Sequence, residues 1–211
     1  QQPRQNAAWV SGFFGSGKSH LLKMIGHLWD NTQFSDGTNA RSLVNQLPDE
    51  VKALLLELDT QAARVGKRPM AVAGSMLSRN DNVRLVILTL ILEACDLPKL
   101  FNQAQFYFWL RRHGYLQHVI DTIQAAGKDW RSEINDLFVS ELIAKALLEC
   151  DPGLAGDRRE LGSILRAQFP NQQNDISTDQ FITAVREVLA PDGVMPLTVL
   201  ILDEVQQYLG N

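Results

Sequence analysis

The residues best equipped for chemistry lie near the start of the chain, in Gly12-Phe13-Phe14-Gly15-Ser16-Gly17-Lys18-Ser19. This string fits the template G-x-x-x-x-G-K-[ST], a loop that carries a strand into a helix and cradles phosphate. Glycines at 12, 15 and 17 admit left-handed or crowded backbone that a side chain would block. Successive N–H groups then converge on one small volume, a nest for phosphate oxygens. Lys18 supplies a compact positive charge for the β- and γ-phosphates, and the Ser19 hydroxyl fits the octahedral shell of Mg2+. A helix beginning here adds its positive dipole end. A second string ends the chain. Residues 197–202 read Leu-Thr-Val-Leu-Ile-Leu, followed at once by Asp203 and Glu204. An apolar strand closing on Asp-Glu is the Walker B pattern, with Asp203 holding the metal opposite Ser19 and Glu204 placed to polarise an attacking water.

Those residues need elements to position them. Ala7, Ala8, Trp9 and Val10 form a short apolar run readable as the end of a strand. Beyond the loop, Leu21, Leu22, Met24, Ile25, Leu28 and Trp29 recur on one face of a helix reaching about Asp30. Strand, glycine turn and helix thus occur in the order the motif requires, which argues against a turn that merely imitates it. His20 follows the loop and reads as a packing or capping residue beside the phosphate rather than a catalyst. The run at 197–202 is continuous, as in a parallel strand buried on both faces. Such sheets bind ligands at the carboxyl ends of their strands, where Asp203 falls.

The stretch between the motifs is mostly helical. Residues 31–39 read as an exposed connection, and Val51, Leu54, Leu55, Leu58 and Ala62 predict a helix over Asp49–Arg64 behind Pro48. Met70-Ala71-Val72-Ala73-Gly74 predicts a strand. Ser78-x-x-Asp81 resembles a capping box before a deeply buried helix at about 82–95. Helices follow at about 106–114, 115–126, 132–150 and 158–169, then one behind the capping box Ser177-x-x-Gln180. The aromatic run at 106–109 could stack nucleic-acid bases, but without interleaved basic residues it reads as core. Arg111-Arg112-His113 and Arg158-Arg159 read as solvated helix faces rather than phosphate contacts.

Lys18 and Asp203 lie 185 residues apart. A compact phosphate-loop domain needs far less chain between its motifs. The expected architecture is α/β, a P-loop NTPase of the ASCE/AAA+-like kind whose parallel sheet is incomplete. Residues 1–74 would form the first part of the core, 75–190 a helical insertion, and 191–211 the return to the core, with the C-terminal remainder of the domain absent. The chain opens on Gln1 and so reads as a fragment.

Composition is that of an ordinary globular protein, with 211 residues, 45% hydrophobic and 21% charged. A net charge of −4 argues against a chain built to coat nucleic acid. Cys95 and Cys150 sit in apolar helical patterns without metal-ligand spacing and read as buried reduced thiols. The longest apolar stretch, residues 85–92, is too short to span a bilayer.

One extended string goes beyond the generic loop, Trp9-Val10-Ser11-Gly12-Phe13-Phe14-Gly15-Ser16-Gly17-Lys18-Ser19-His20-Leu21-Leu22-Lys23-Met24. It resembles the large P-loop ATPase of BREX bacteriophage-defence systems, the BrxC/PglY-like proteins. The likeness continues through Ser78-Arg79-Asn80-Asp81-Asn82-Val83-Arg84-Leu85, Trp109-Leu110-Arg111-Arg112-His113-Gly114-Tyr115-Leu116 and Leu202-Asp203-Glu204-Val205-Gln206-Gln207-Tyr208-Leu209. The resemblance implies a bacterial, cytoplasmic, AAA+-like ATPase, oligomeric at full length. It would work with other BREX proteins, a DNA methyltransferase among them, and with DNA directly or through those partners. Those proteins are several times longer, so the later strands, a sensor residue and an arginine finger are expected beyond Asn211. ATP is expected over GTP, because no guanine-reading N/T-K-x-D string occurs. The expected function is ATP hydrolysis with Lys18 and Glu204 as the catalytic pair. The alternatives are a nucleotide-dependent switch or scaffold with little turnover, and a phosphotransferase.

Overall fold

Helix α1 (Lys18–Asp30) is amphipathic, and Leu22, Gly26 and Trp29 mark the face that meets the sheet. The structure is a computed structural model describing residues 7–13, 15–44, 46–76, 82–171 and 175–206. The sheet consists of two parallel strands, β1 (Met70–Ser75) and β2 (Thr198–Asp203). Their register pairs Met70 with Thr198 and, at the far end, Ser75 with Asp203. Gly26 lets α1 approach closely. A Cβ built there would stand 3.3 Å from Ile201 Cδ1 and 3.7 Å from the Ala71 Cβ. Near the other end of α1, Trp29 Nε1 donates to the Leu197 carbonyl at 3.1 Å.

Helices α2 (Ala40–Leu43) and α3 (Asp49–Arg64) complete this part. Arg41 ties the three helices together. Its guanidinium donates to the Leu28 carbonyl at 2.7 Å, the Trp29 carbonyl at 3.0 Å and the Asp59 carboxylate at 2.5 Å. An Arg with all its hydrogen bonds directed at fixed acceptors makes a rigid joint.

The chain divides into two compact units, Gln1–Ser78 with Val194–Asn211, and Arg79–Gly193. Among the described residues the second is all helical: α4 (Val83–Ala94), α5 (Phe101–His113), α6 (Leu116–Ala125), α7 (Trp130–Glu133), α8 (Glu141–Cys150), α9 (Arg158–Gln168) and α10 (Thr178–Leu189). Its core gathers Phe106, Leu110, Val119, Ile123, Ile134, Ile143, Leu147, Leu161 and Phe169, all buried. The aromatic run of α5 belongs to this core. Phe106 meets Phe169 edge-on at 5.5 Å and Trp109 meets Tyr115 at 5.7 Å between ring centroids. Such pairs add to simple area burial. Arg111 and Arg112 are spent within the unit, on the Glu187 carbonyl at 3.1 Å and the Glu187 carboxylate at 3.3 Å. His113 contacts the Trp109 carbonyl, and Arg158 pairs with Glu141.

Four expectations change. Residues 7–13 form no strand and are exposed, with Trp9 at 67% and Phe13 at 91%. A strand needs a hydrogen-bonded neighbour, and among the described residues none pairs with 7–13. Strand β2 is not buried on both faces. Ile201 is covered on the α1 side, but Leu200, on the opposite face, is 40% exposed. The helix expected over 132–150 is broken into α7, a 3-10 turn at Ile134–Asp136, and α8. Ser140 causes the break by capping α8, accepting from the Ile143 N–H at 3.1 Å. Finally, Cys95 and Cys150 are free but half-buried rather than buried, and burial raises both thiol pKa values.

The capping box expected at Ser78-x-x-Asp81 lies outside the described residues. Within them, Asn82 caps α4 by accepting from the Arg84 N–H at 3.0 Å. Among the described residues no helix is long and apolar enough to cross a membrane.

Candidate functional site

The loop before α1 is shaped by two left-handed residues, Gly15 at φ 77° and Gly17 at φ 83°. Nothing stands within 4 Å of a Cβ built at either. Backbone conformation, not lack of room, therefore requires glycine at both. Gly12 is different, since a Cβ there would lie 2.9 Å from Ser16 Oγ. The turn is closed by the Ser16 N–H donating to the Phe13 carbonyl at 3.2 Å.

Lys18 folds back over this turn. Its ammonium donates to the Gly12 carbonyl at 2.8 Å, the Phe13 carbonyl at 2.7 Å and, more loosely, Ser16 Oγ at 3.4 Å. Its positive charge is thereby fixed at the mouth of the loop. Helix α1 starts from Gly17 with no side-chain cap and no acidic residue in its first turn. Its first turn therefore brings neither a side-chain cap nor an acidic side chain of its own to the dipole end. Ser19 and His20 are exposed on this turn. Phe14 lies outside the described residues.

A second cluster forms at the strand ends. Ser75 and Asp203 are register partners, and the Met76 N–H donates to the Asp203 carbonyl at 3.0 Å, extending the ladder. The Asp203 carboxylate accepts from the Glu204 N–H at 2.9 Å. Glu204 itself is left-handed, with φ 60°. Its carboxylate accepts a hydrogen bond from the Ser75 hydroxyl. Sequence reasoning missed Ser75. The only signal for it is a polar residue closing the apolar run that begins at Met70.

The direction of α1 relates the clusters. Trp29, near its C-terminus, bonds the carbonyl of Leu197, just ahead of β2. Gly26 then meets Ala71 and Ile201 further along the strands. Thus α1 runs antiparallel to both strands, and its N-terminus points to the end where Ser75, Asp203 and Glu204 lie. Thirteen helical residues at about 1.5 Å each cover roughly the length of six strand residues at about 3.3 Å.

Among the described residues, no three His, Cys, Asp or Glu side chains converge into a metal-binding cluster. No family model matches this chain, and no solved structure matches it. The fold is thus defined at the level of its own elements, an α/β chain that is mostly helical with a small parallel sheet.

Proposed function

We propose that this chain binds ATP with Mg2+ at the 12–19 loop and hydrolyses it. The fold behind this reading is a P-loop NTPase core of the ASCE/AAA+-like kind. One observation supports it above the rest: the Lys18 ammonium lies across a turn of left-handed glycines, at the uncapped start of a helix aimed along the sheet end that carries Asp203 and Glu204. The donor chemistry fits the ligand. Backbone N–H groups and an ammonium suit phosphate oxygens, and a hydroxyl with a carboxylate suits Mg2+.

In this reading Lys18 leaves its two carbonyl partners for the β- and γ-phosphate oxygens. Ser19 and Asp203 would hold Mg2+, which would supply positive charge beside the phosphate oxygens. Glu204 accepts the proton of a water that attacks the γ-phosphorus, the bond to the bridging oxygen breaks, and ADP leaves with inorganic phosphate. The wider role is to power or license a BREX-type defence complex in the bacterial cytoplasm, with DNA and a methyltransferase among its partners. That role rests on the sequence resemblance.

A second reading, a nucleotide-dependent switch with little turnover, is favoured by the Ser75–Glu204 hydrogen bond, which engages the general base in another contact. Titration with a fluorescent ATP analogue and steady-state phosphate release separate the two. Lys18→Ala is expected to weaken MgATP binding about a hundredfold, roughly 2.7 kcal/mol. Glu204→Gln is expected to abolish turnover while leaving affinity intact. Unchanged binding in Lys18→Ala would remove the site assignment. Binding without turnover in the parent chain would leave the switch. Transfer of labelled phosphate to an acceptor other than water would indicate a phosphotransferase.

A further inference from the structure

We draw no further inference here: the strongest candidate, the apolar groove of the sheet unit between α2 and α3, lined by Val44, Leu47, Leu55 and Leu56 beside Arg41 and Asp59, carries nothing because nothing in the structure shows what covers it.

Discussion

The first helix of the sheet unit and most helices of the helical unit begin in opposite ways. In the helical unit, five helices begin under a side-chain cap, from Asn82, Asp129, Ser140, Asp157 and Ser177, and the large aromatics close on one another. In the sheet unit, α1 begins at a left-handed glycine without a cap, and Trp9, Phe13, Leu21 and Leu54 are exposed. The first pattern satisfies its own helix ends and saves stability. The second leaves donors, charge and apolar surface directed outward. On the proposed reading, stability and nucleotide binding would be divided between separate stretches of one chain, each failing to a different mutation.

The largest expected effect falls on the helical unit. Phe106 is fully buried between Phe169 and Trp109. Phe106→Ala should lower stability in urea denaturation by about 3–5 kcal/mol. Provided the variant stays folded at low urea, its affinity for MgATP should match that of the parent. A loss of nucleotide binding without unfolding would erase the division of labour.

A change at Gly26 reverses that pattern. Gly26→Val would press methyl groups between Ala71 and Ile201, lowering stability by about 1–3 kcal/mol through overpacking. Because α1 carries Lys18, MgATP affinity should fall with it. Gly26→Ala is the control. It gains about 1 kcal/mol of helix propensity, offset by one close contact with the flexible end of Ile201. Equal behaviour of the two variants would show that α1 is not seated on the sheet through Gly26.

The smallest effect is a pH dependence confined to the helical unit. Glu133 is buried, accepts from Ser140 Oγ at 2.6 Å and pairs with Lys128 at 3.0 Å. The Ser140 hydroxyl is the chief cause holding its carboxyl below the ordinary value of 4.5; burial opposes the shift and Lys128 assists it. A depressed folded pKa means the unfolded chain binds the proton first. The contribution is therefore complete well above pH 4.5 and lost as pH falls through the folded value. Ser140→Ala should cost about 1–2 kcal/mol at neutral pH, through the lost cap, and should flatten this acid-side slope. Urea midpoints measured between pH 3 and 7, on the scale of about one carboxylate, check both parts. An unchanged slope would dismiss Ser140 as the cause.

What the sequence discloses depends on how local the determining interaction is. The bounds of α3, the start of β1 at Met70 and the capping box at Ser177 are all legible, because spacing and caps within a few residues decide them. The need for glycine at 15 and 17 is legible for the same reason. The break at Ser140 is not, since Ile134, Leu137, Phe138, Leu142, Ala146 and Leu147 read as one helical pattern while entering one core from separate elements. Nor is the fate of residues 7–13, because pairing decides a strand and its partner cannot be read from four apolar residues. Ser75 was the least accessible. Its relation to Glu204 exists only through the register of strands 128 residues apart, Met70 against Thr198.

That register also orders events during synthesis. Residues of the helical unit meet neighbours close in sequence, so it can collapse as it emerges from the ribosome. Strand β1 emerges well before its partner and cannot form its ladder until Asp203 is free of the exit tunnel. Until then α1 has only one of its two strands to rest upon, and the glycine loop ahead of it lacks that support. The strand end that carries Asp203 thus joins β1 only after the helical unit has had the whole of its own synthesis in which to fold.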